Sequence, residues 1–266
     1  MTILDKIIEE KYKTVEHQKS LVPLKTLEKR AGFGKSVLSM KHRLTDIHST
    51  GIIAEFKRKS PSKGIINDTV RVEDVTTGYT TAGVAGLSIL TDWLFFGGSA
   101  VDLIAARETN QIPILRKDFM VDEYQVVEAK AMGADVILLI AAVLDLKQLK
   151  KLAMCAKSIG LEILLEIHSR EEIVKIIDEV DMVGVNNRNL KDFTVDILQS
   201  IEMVKHIPDH FVKVSESGLD NVTIIRKLKN EGFQGFLIGE AFMKQPDPVA
   251  ACQEFMKQLK YNGFEN

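Results

Sequence analysis

Short apolar runs alternate with segments of helical period along most of this chain. Eight runs stand out, at 51–56, 86–90, 112–115, 136–140, 162–167, 182–185, 211–214 and 236–238. Each is apolar almost throughout rather than at every second position, which is the pattern of a strand covered on both faces. Between them lie helix-period stretches, among them 72–82, 124–132, 145–158, 170–179, 195–205 and 221–231. Successive runs start roughly 20 to 35 residues apart, enough for one crossover helix between parallel strands. Eight such units predict an α/β fold of the (β/α)8 type, a TIM barrel. A doubly wound sheet is the competitor, but it normally uses about five or six strands. No Gly-x-Gly-x-x-Gly follows the first run, which weighs against a dinucleotide-binding version.

The first 48 residues stand outside the alternation. "ILDKIIEEKYKTVEHQKS" reads as a helix with an apolar stripe at Ile3, Leu4, Ile7, Ile8 and Tyr12. A second short helix is expected over 24–30, before "AGFGKS" breaks it. The division is therefore a helical extension over residues 1–48 and a catalytic barrel over 49–266, one structural domain overall. The extension packs on the barrel, with a roof over one end as one option and a partly ordered tail as the other.

Composition narrows the function classes. At 266 residues with 45% apolar positions, the chain is the size of one barrel with an ample core. A net charge of -2 gives no generalised attraction to nucleic acid or an acidic membrane, so anion binding has to come from a local site. Cys155 and Cys252 fall in helical segments without metal-type spacing, which points to a reducing compartment and no structural zinc. The Lys- and Glu-rich first twenty residues lack a signal-peptide core, and no apolar run reaches membrane-spanning length. The expected location is the cytoplasm.

What changes the picture is how the strands end. "IPILRKDFM" closes an apolar run on three consecutive charges, Arg116, Lys117 and Asp118. Other runs end on Glu55 and Lys57, on Glu166, on Asn186 and Arg188, on Ser215, Glu216 and Ser217, and on Gly239 and Glu240. Barrel enzymes gather their chemistry at the C-terminal strand ends, so these groups are expected to converge on one mouth rather than meet solvent singly. Residues two apart on a strand share a face, which directs both Glu55 and Lys57 to the barrel axis. Paired lysines and glutamates in a partly desolvated pocket form a proton-transfer set. Burial raises a carboxylate's pKa and lowers a lysine's while pairing opposes both shifts, and the balance can leave such groups near working pH.

A phosphate site is indicated by "SESGL" after the seventh run and "LIGEAF" after the eighth. Gly218 and Gly239 leave room for backbone to approach an anion. A helix starting near Glu240–Ala241 would aim free N–H groups at it.

"IIAEFKRKSPSKGII" resembles the first-strand signature of the indole-3-glycerol phosphate synthase family, through Glu55, Lys57, Ser60 and Pro61. The resemblance continues in order through "SILTDWLFFGGS", "ILRKDFMVDEYQ", "LLEIHSREE", "VGVNNRNL", "VSESGL" and "FLIGEAFM" and covers essentially the whole chain. It implies a carbon–carbon carboxy-lyase of tryptophan biosynthesis. That enzyme would convert 1-(2-carboxyphenylamino)-1-deoxyribulose 5-phosphate into indole-3-glycerol phosphate, carbon dioxide and water, with no cofactor and no metal.

The same resemblance implies roles for individual residues. Lys117 matches the general acid, Glu166 the base, and Lys57 a second catalytic lysine. Glu55 and Asn186 match polar residues that hold the lysines and the forming hydroxyl. Arg188 and Ser217 line the same site, and Phe96 and Phe119 match aromatic residues enclosing the anthranilate ring. Ser60, Ser217, Gly218, Gly239 and Glu240 lie where the phosphate loops should be. Either Phe95 or Phe96 faces the ligand, and Trp93 either shields the mouth or sits at the surface. His168, two residues after Glu166, is read as structural.

The partner implied is a phosphorylated small molecule, with the chain acting as a monomer and without nucleic acid or membrane. Two alternatives stay open. A phosphoribosylanthranilate isomerase-like barrel would need a cysteine on the first strand, where this chain has Glu55 and Lys57. A non-catalytic phosphate-ligand binding barrel would be expected to lack some of Lys57, Lys117 and Glu166, all of which are present.

Overall fold

The apolar runs fold as a closed parallel barrel in the computed structural model, which describes residues 2–189 and 193–261. The strands are β1 Ile52–Phe56, β2 Gly86–Leu90, β3 Ile114–Lys117, β4 Val136–Ile140, β5 Glu162–Ile167, β6 Met182–Asn186, β7 Val212–Glu216 and β8 Gly235–Ile238. They stand in sequence order around the barrel, and β8 closes on β1 with Ile52 beside Phe236 and Ala54 beside Ile238.

Strand alternation sorts the core into two layers. Ile53, Leu115, Leu138, Leu164 and Val214 point inward and pack on one another. Ile52, Ala54, Ile137, Leu139 and Ile163 point outward against the helices. The bottom of the interior is plugged by a short helix of the extension, Met40–Thr45, whose Met40 and Leu44 join the inner layer. Glu162 at the start of β5 fastens that plug by accepting the Met40 and Lys41 backbone N–H groups at 2.8 and 3.0 Å.

Most predicted elements are observed, with informative shifts at their ends. Strands β3, β6 and β7 run on to Lys117, Asn186 and Glu216, so the polar strand ends belong to the barrel ladder rather than to loops. The first residues of the predicted helices at 145 and 221 are instead caps, Asp145 and Asn221 accepting backbone N–H groups of the first turn. The predicted helix at 170–179 is corrected to one 3-10 segment, Arg170–Lys175. Its β-branched run Ile173, Val174, Ile176 and Ile177 favours helix weakly. Glu172 also turns back to accept the His168 backbone N–H at 2.7 Å.

The extension begins with α1, Ile3–Leu21, capped by Thr2 and Asp5, followed by α2, Leu24–Leu27. The buried line along α1 is Ile7, Lys11 and Val15, one step away from the predicted stripe, and Tyr12 is 46% exposed. A lysine at the centre of a buried face needs anionic partners. Lys11 Nζ lies 2.8 Å from Asp92 and 2.7 Å from Asp118. Asp118 in turn meets Arg116 at 3.1 Å, and Arg116 meets Glu128 at 2.7 Å.

The three charges of "RKD" therefore do not all converge on the mouth. Lys117 points in, while its neighbours of opposite parity point out and are buried beneath α1. Burial works against the charge on Asp118, but Lys11 and Arg116 outweigh it and hold the carboxyl down at about 2. The cluster's stabilisation is thus complete above the ordinary Asp value of about 3.9 and is lost as pH falls toward 2. Removing one partner of a buried ion pair strands the other charge, so Lys11→Met is expected to lower unfolding stability by about 3 kcal/mol at neutral pH. Urea unfolding of the two proteins between pH 7 and pH 2 checks this, and their difference should shrink at the acid end.

Candidate active site

Strand register brings the inward polar side chains to one level. Leu90 stands beside Lys117, Ile140 beside Glu166, and Asn186 beside Glu216. On β1, Glu55 is buried and Lys57 follows on the same face, its Nζ 2.9 Å from Glu55 Oε1. Ser88 on β2 donates to the other oxygen of Glu55 at 3.2 Å. Gly239 gives this carboxylate its room, because a Cβ there would come within 2.7 Å of Glu55 Oε1.

Across the barrel, Lys117 Nζ donates to Glu166 Oε2 at 2.6 Å and lies 3.1 Å from Glu216 Oε2. Asn186 Nδ2 donates to Glu166 Oε1 at 3.1 Å. Burial alone would lower the lysine's pKa, but the charges of Glu166, Glu216 and Glu55 hold it well above its usual range. Lys117 is therefore held as the ammonium, not as a group poised near neutral pH. Burial would likewise raise Glu166, yet Lys117 and His168 hold it well below the usual carboxylate range. Glu216 goes the other way. Burial, aided by the Glu166 charge and only partly offset by Lys117, pushes it up to about 7. Its Oε1 is buried with no hydrogen-bond partner among the described residues.

Glu216 is the site residue to which sequence reasoning gave no role. It stood at a strand end, but nothing in "VSESGL" says that it shares a lysine with Glu166. Gly184 is its counterpart, since a Cβ there would lie 2.3 Å from Glu216 Oε1.

The central cavity is about 150 Å³. Besides the groups above, it is lined by Ser60, Phe96, Phe119, Arg188, Ser217 and Glu240. Phe96 and Phe119 pack with ring centroids 5.9 Å apart on one side, while Ile3, Leu4 and Ile7 of α1 face the cavity from above. In the second loop it is Phe96 that lines this cavity. Phe95 and Trp93 line a different cleft beside α1, and Trp93 is 73% exposed.

Gly218 and Gly239 line an adjoining cavity shared with Lys57, Arg188, Ser217 and Glu240. Its loop after β7 is unusual in having two successive residues of positive φ, Ser217 at 71° and Gly218 at 73°. A left-handed serine is strained and must be held by its surroundings. Asn187 does so, donating to the Ser217 carbonyl at 3.0 Å from a buried network with Ser215 and Ser200. Nearby, the Glu240 carboxylate is engaged by Arg188 at 3.3 Å and Lys63 at 3.9 Å. The short helix Glu240–Met243 begins there, with Gly239 as its N-cap. No group of three or more metal-ligating side chains occurs among the described residues.

A (β/α)8 barrel with paired ammonium and carboxylate groups gathered at the C-terminal mouth, beside a glycine-lined recess, has the architecture of a barrel enzyme. The comparisons make the class specific. Residues 4–255 match the family model described as indole-3-glycerol phosphate synthase. A protein of that name from Bacteroides thetaiotaomicron is 46% identical over 97% of this chain and 99% of its own. Relatives of the same name from Campylobacter jejuni and Polynucleobacter asymbioticus are 40% and 37% identical, over at least 95% of this chain and 98% of their own. Among solved structures, thiamine phosphate pyrophosphorylase from Pyrococcus furiosus covers 84% of this chain and 98% of its own, at TM-score 0.58 and 15% identity. KGPDC from Streptococcus mutans gives the same score and identity over 79% and 96% of the two chains. At that identity these two support the barrel alone. The chain belongs to the indole-3-glycerol phosphate synthase family.

Two substitutions test the Glu216 environment. Glu216→Gln should remove an ionisation near pH 7 from the pH dependence of kcat/KM, a limb that wild-type protein should show. Gly184→Ala should push the Glu216 carboxylate aside and lower kcat by about tenfold or more, with the far-ultraviolet circular dichroism unchanged.

Proposed function

We propose that this chain catalyses ring closure, decarboxylation and dehydration of 1-(2-carboxyphenylamino)-1-deoxyribulose 5-phosphate to indole-3-glycerol phosphate. The observation that carries this reading is Lys117, held inside the mouth between Glu166 and Glu216 in a chain of this family. The reaction needs a cation at the substrate ketone as the carboxylate-bearing aromatic carbon attacks it. That carboxylate then leaves as carbon dioxide and restores the aromatic ring, and a base takes a proton from the new five-membered ring as water departs.

Lys117 supplies the cation and the proton. Its high pKa keeps the ammonium intact until a developing oxyanion competes for the proton. Glu166, held as a carboxylate, serves as the base, with Asn186 orienting it and reaching the forming hydroxyl. Lys57 is the second lysine, close enough to the mouth to meet the substrate carboxylate, with Glu55 setting its position. The Phe96–Phe119 pair encloses the anthranilate ring, where stacking contributes area and orientation.

The phosphate goes to the recess formed by Ser217, Gly218, Gly239 and Glu240, bound chiefly by backbone N–H groups. Ser60 and Arg188 flank it from the first and sixth loops. The Glu240 carboxylate does not oppose the phosphate directly, because Arg188 and Lys63 already engage it. We assign residues 1–48 as the extension and 49–266 as the catalytic barrel of a cytoplasmic monomer that uses no cofactor, metal, nucleic acid or membrane. No helix among the described residues is long and apolar enough to cross a membrane.

The test is direct. Purified protein incubated with the proposed substrate, without added metal, should produce indole fluorescence. Lys117→Met and Glu166→Gln should each lower kcat by about 10²- to 10⁴-fold, the span of general acid–base contributions. Folded wild-type protein that yields no indole product would sink the assignment.

A further inference from the structure

One buried titratable side chain in contact with this machinery is unused by it. His168 follows Glu166 by two positions, so both side chains leave the same face at the end of β5. Its ring sits between two carboxylates. Nε2 lies 3.0 Å from Glu166 Oε1, and Nδ1 lies 3.8 Å from Glu172 Oε2. Both ring nitrogens are buried, and the two carboxylates are close enough to act on the ring's charge. The backbone is pinned independently, with Glu172 accepting the His168 N–H and the Gln199 side chain donating to its carbonyl.

His168 is not among the residues lining the central cavity, so whatever it does it does through Glu166. From this arrangement we propose that His168 is a positioning residue, an imidazolium clamped between Glu172 and Glu166 that keeps Glu166 a carboxylate while Lys117 turns to the substrate. The proposal rests on the reading of Glu166 as the base. In the ligand-free site the Glu166 charge is balanced by Lys117, but Lys117 is shared with Glu216 and is the group that must engage the ketone. A carboxylate with 4% side-chain exposure that lost its only cation would take up a proton and cease to be a base. A second cation on the opposite oxygen prevents that.

The charged groups facing the ring are Glu166 from β5 and Glu172 from the 3-10 segment. The helix Ile197–Val204 presents the neutral Gln199, and Asn186 of β6, also neutral, shares Glu166 Oε1. Burial would lower the imidazole pKa, but the two carboxylates raise it to about 9. The positive charge is therefore fully present below the ordinary histidine value near 6.5 and is lost as pH rises through about 9.

Two readouts separate this role from simple packing. Imidazole NMR titration, with the His168 signal identified by its absence in His168→Asn, should place wild-type His168 near 9. Glu166→Gln or Glu172→Gln should each bring it down by about one pH unit or more. In turnover, His168→Asn should move the acid limb of kcat upward by about one pH unit. It should also lower kcat near neutrality by about tenfold with little change in KM. A wild-type His168 that titrates near 6.5 would overturn the clamp. So would a His168→Asn kcat profile that superimposes on wild type while only the melting temperature falls. The NMR arm needs no turnover, so an inactive wild type with a raised His168 titration would overturn the functional reading and still support the clamp.

Discussion

One ammonium group has to satisfy two buried carboxylates, and the upper half of the barrel is arranged around that demand. Lys117 Nζ sits 2.6 Å from Glu166 and 3.1 Å from Glu216, and both acids are almost fully withdrawn from solvent. Desolvating a charge costs several kcal/mol, which is recovered only when geometry and hydrogen bonding are good. Register supplies the geometry by setting Asn186 beside Glu216 and Ile140 beside Glu166. Glycines supply the space, Gly184 under Glu216 and Gly239 beside Glu55. The asymmetry that results is chemical, with Glu166 held anionic by Lys117 and His168 while burial and the Glu166 charge push Glu216 toward neutrality against the pull of the same lysine.

Strand β3 carries charge on both faces, and the outward face has its own solution. Arg116 and Asp118 would be unpaired charges under α1 if the helix brought only apolar residues. Lys11 completes an alternating chain from Asp92 through Lys11, Asp118 and Arg116 to Glu128. Because Asp92 and Asp118 lie in the loops that lead to Phe96 and Phe119, the same cation ties the helix to the aromatic wall of the cavity. The apolar tip of α1, with Ile3, Leu4 and Ile7, is thereby kept over the mouth.

The barrel was legible because a strand buried on both faces must be apolar at every position, a signal that few other arrangements produce. Lys57, Lys117 and Glu166 were legible for a related reason, since a charge ending such a strand has nowhere to point except the mouth or the helix layer. Sequence could not say which. Parity decides, and Lys117 differs from Arg116 and Asp118 only by one step along β3. Lys11 was hidden because a lysine inside an apolar helical stripe looks like a break in the stripe until its acids, some 80 and 107 residues away, are in place. The segment at 170–179 was misread as a full helix because its apolar spacing outweighed a local bond, from the His168 N–H to the Glu172 side chain, that competes with the helix start.

The charge balance of the mouth follows from these positions. Around Glu166 and Glu216 the cations Lys57, Lys117 and His168 face Glu55, Glu166 and Glu216, so the charges of this set cancel when every member is ionised, as do those of Arg188 and Glu240 beside it. Glu216 is the member whose proton occupancy changes near pH 7. When it is neutral, the mouth carries an excess of positive charge, the condition that favours an anionic guest. An anion bound beside Glu216 raises its pKa further, because like charges in a low-dielectric pocket disfavour each other's ionised forms. Anion binding and protonation of Glu216 are therefore linked, and each strengthens the other.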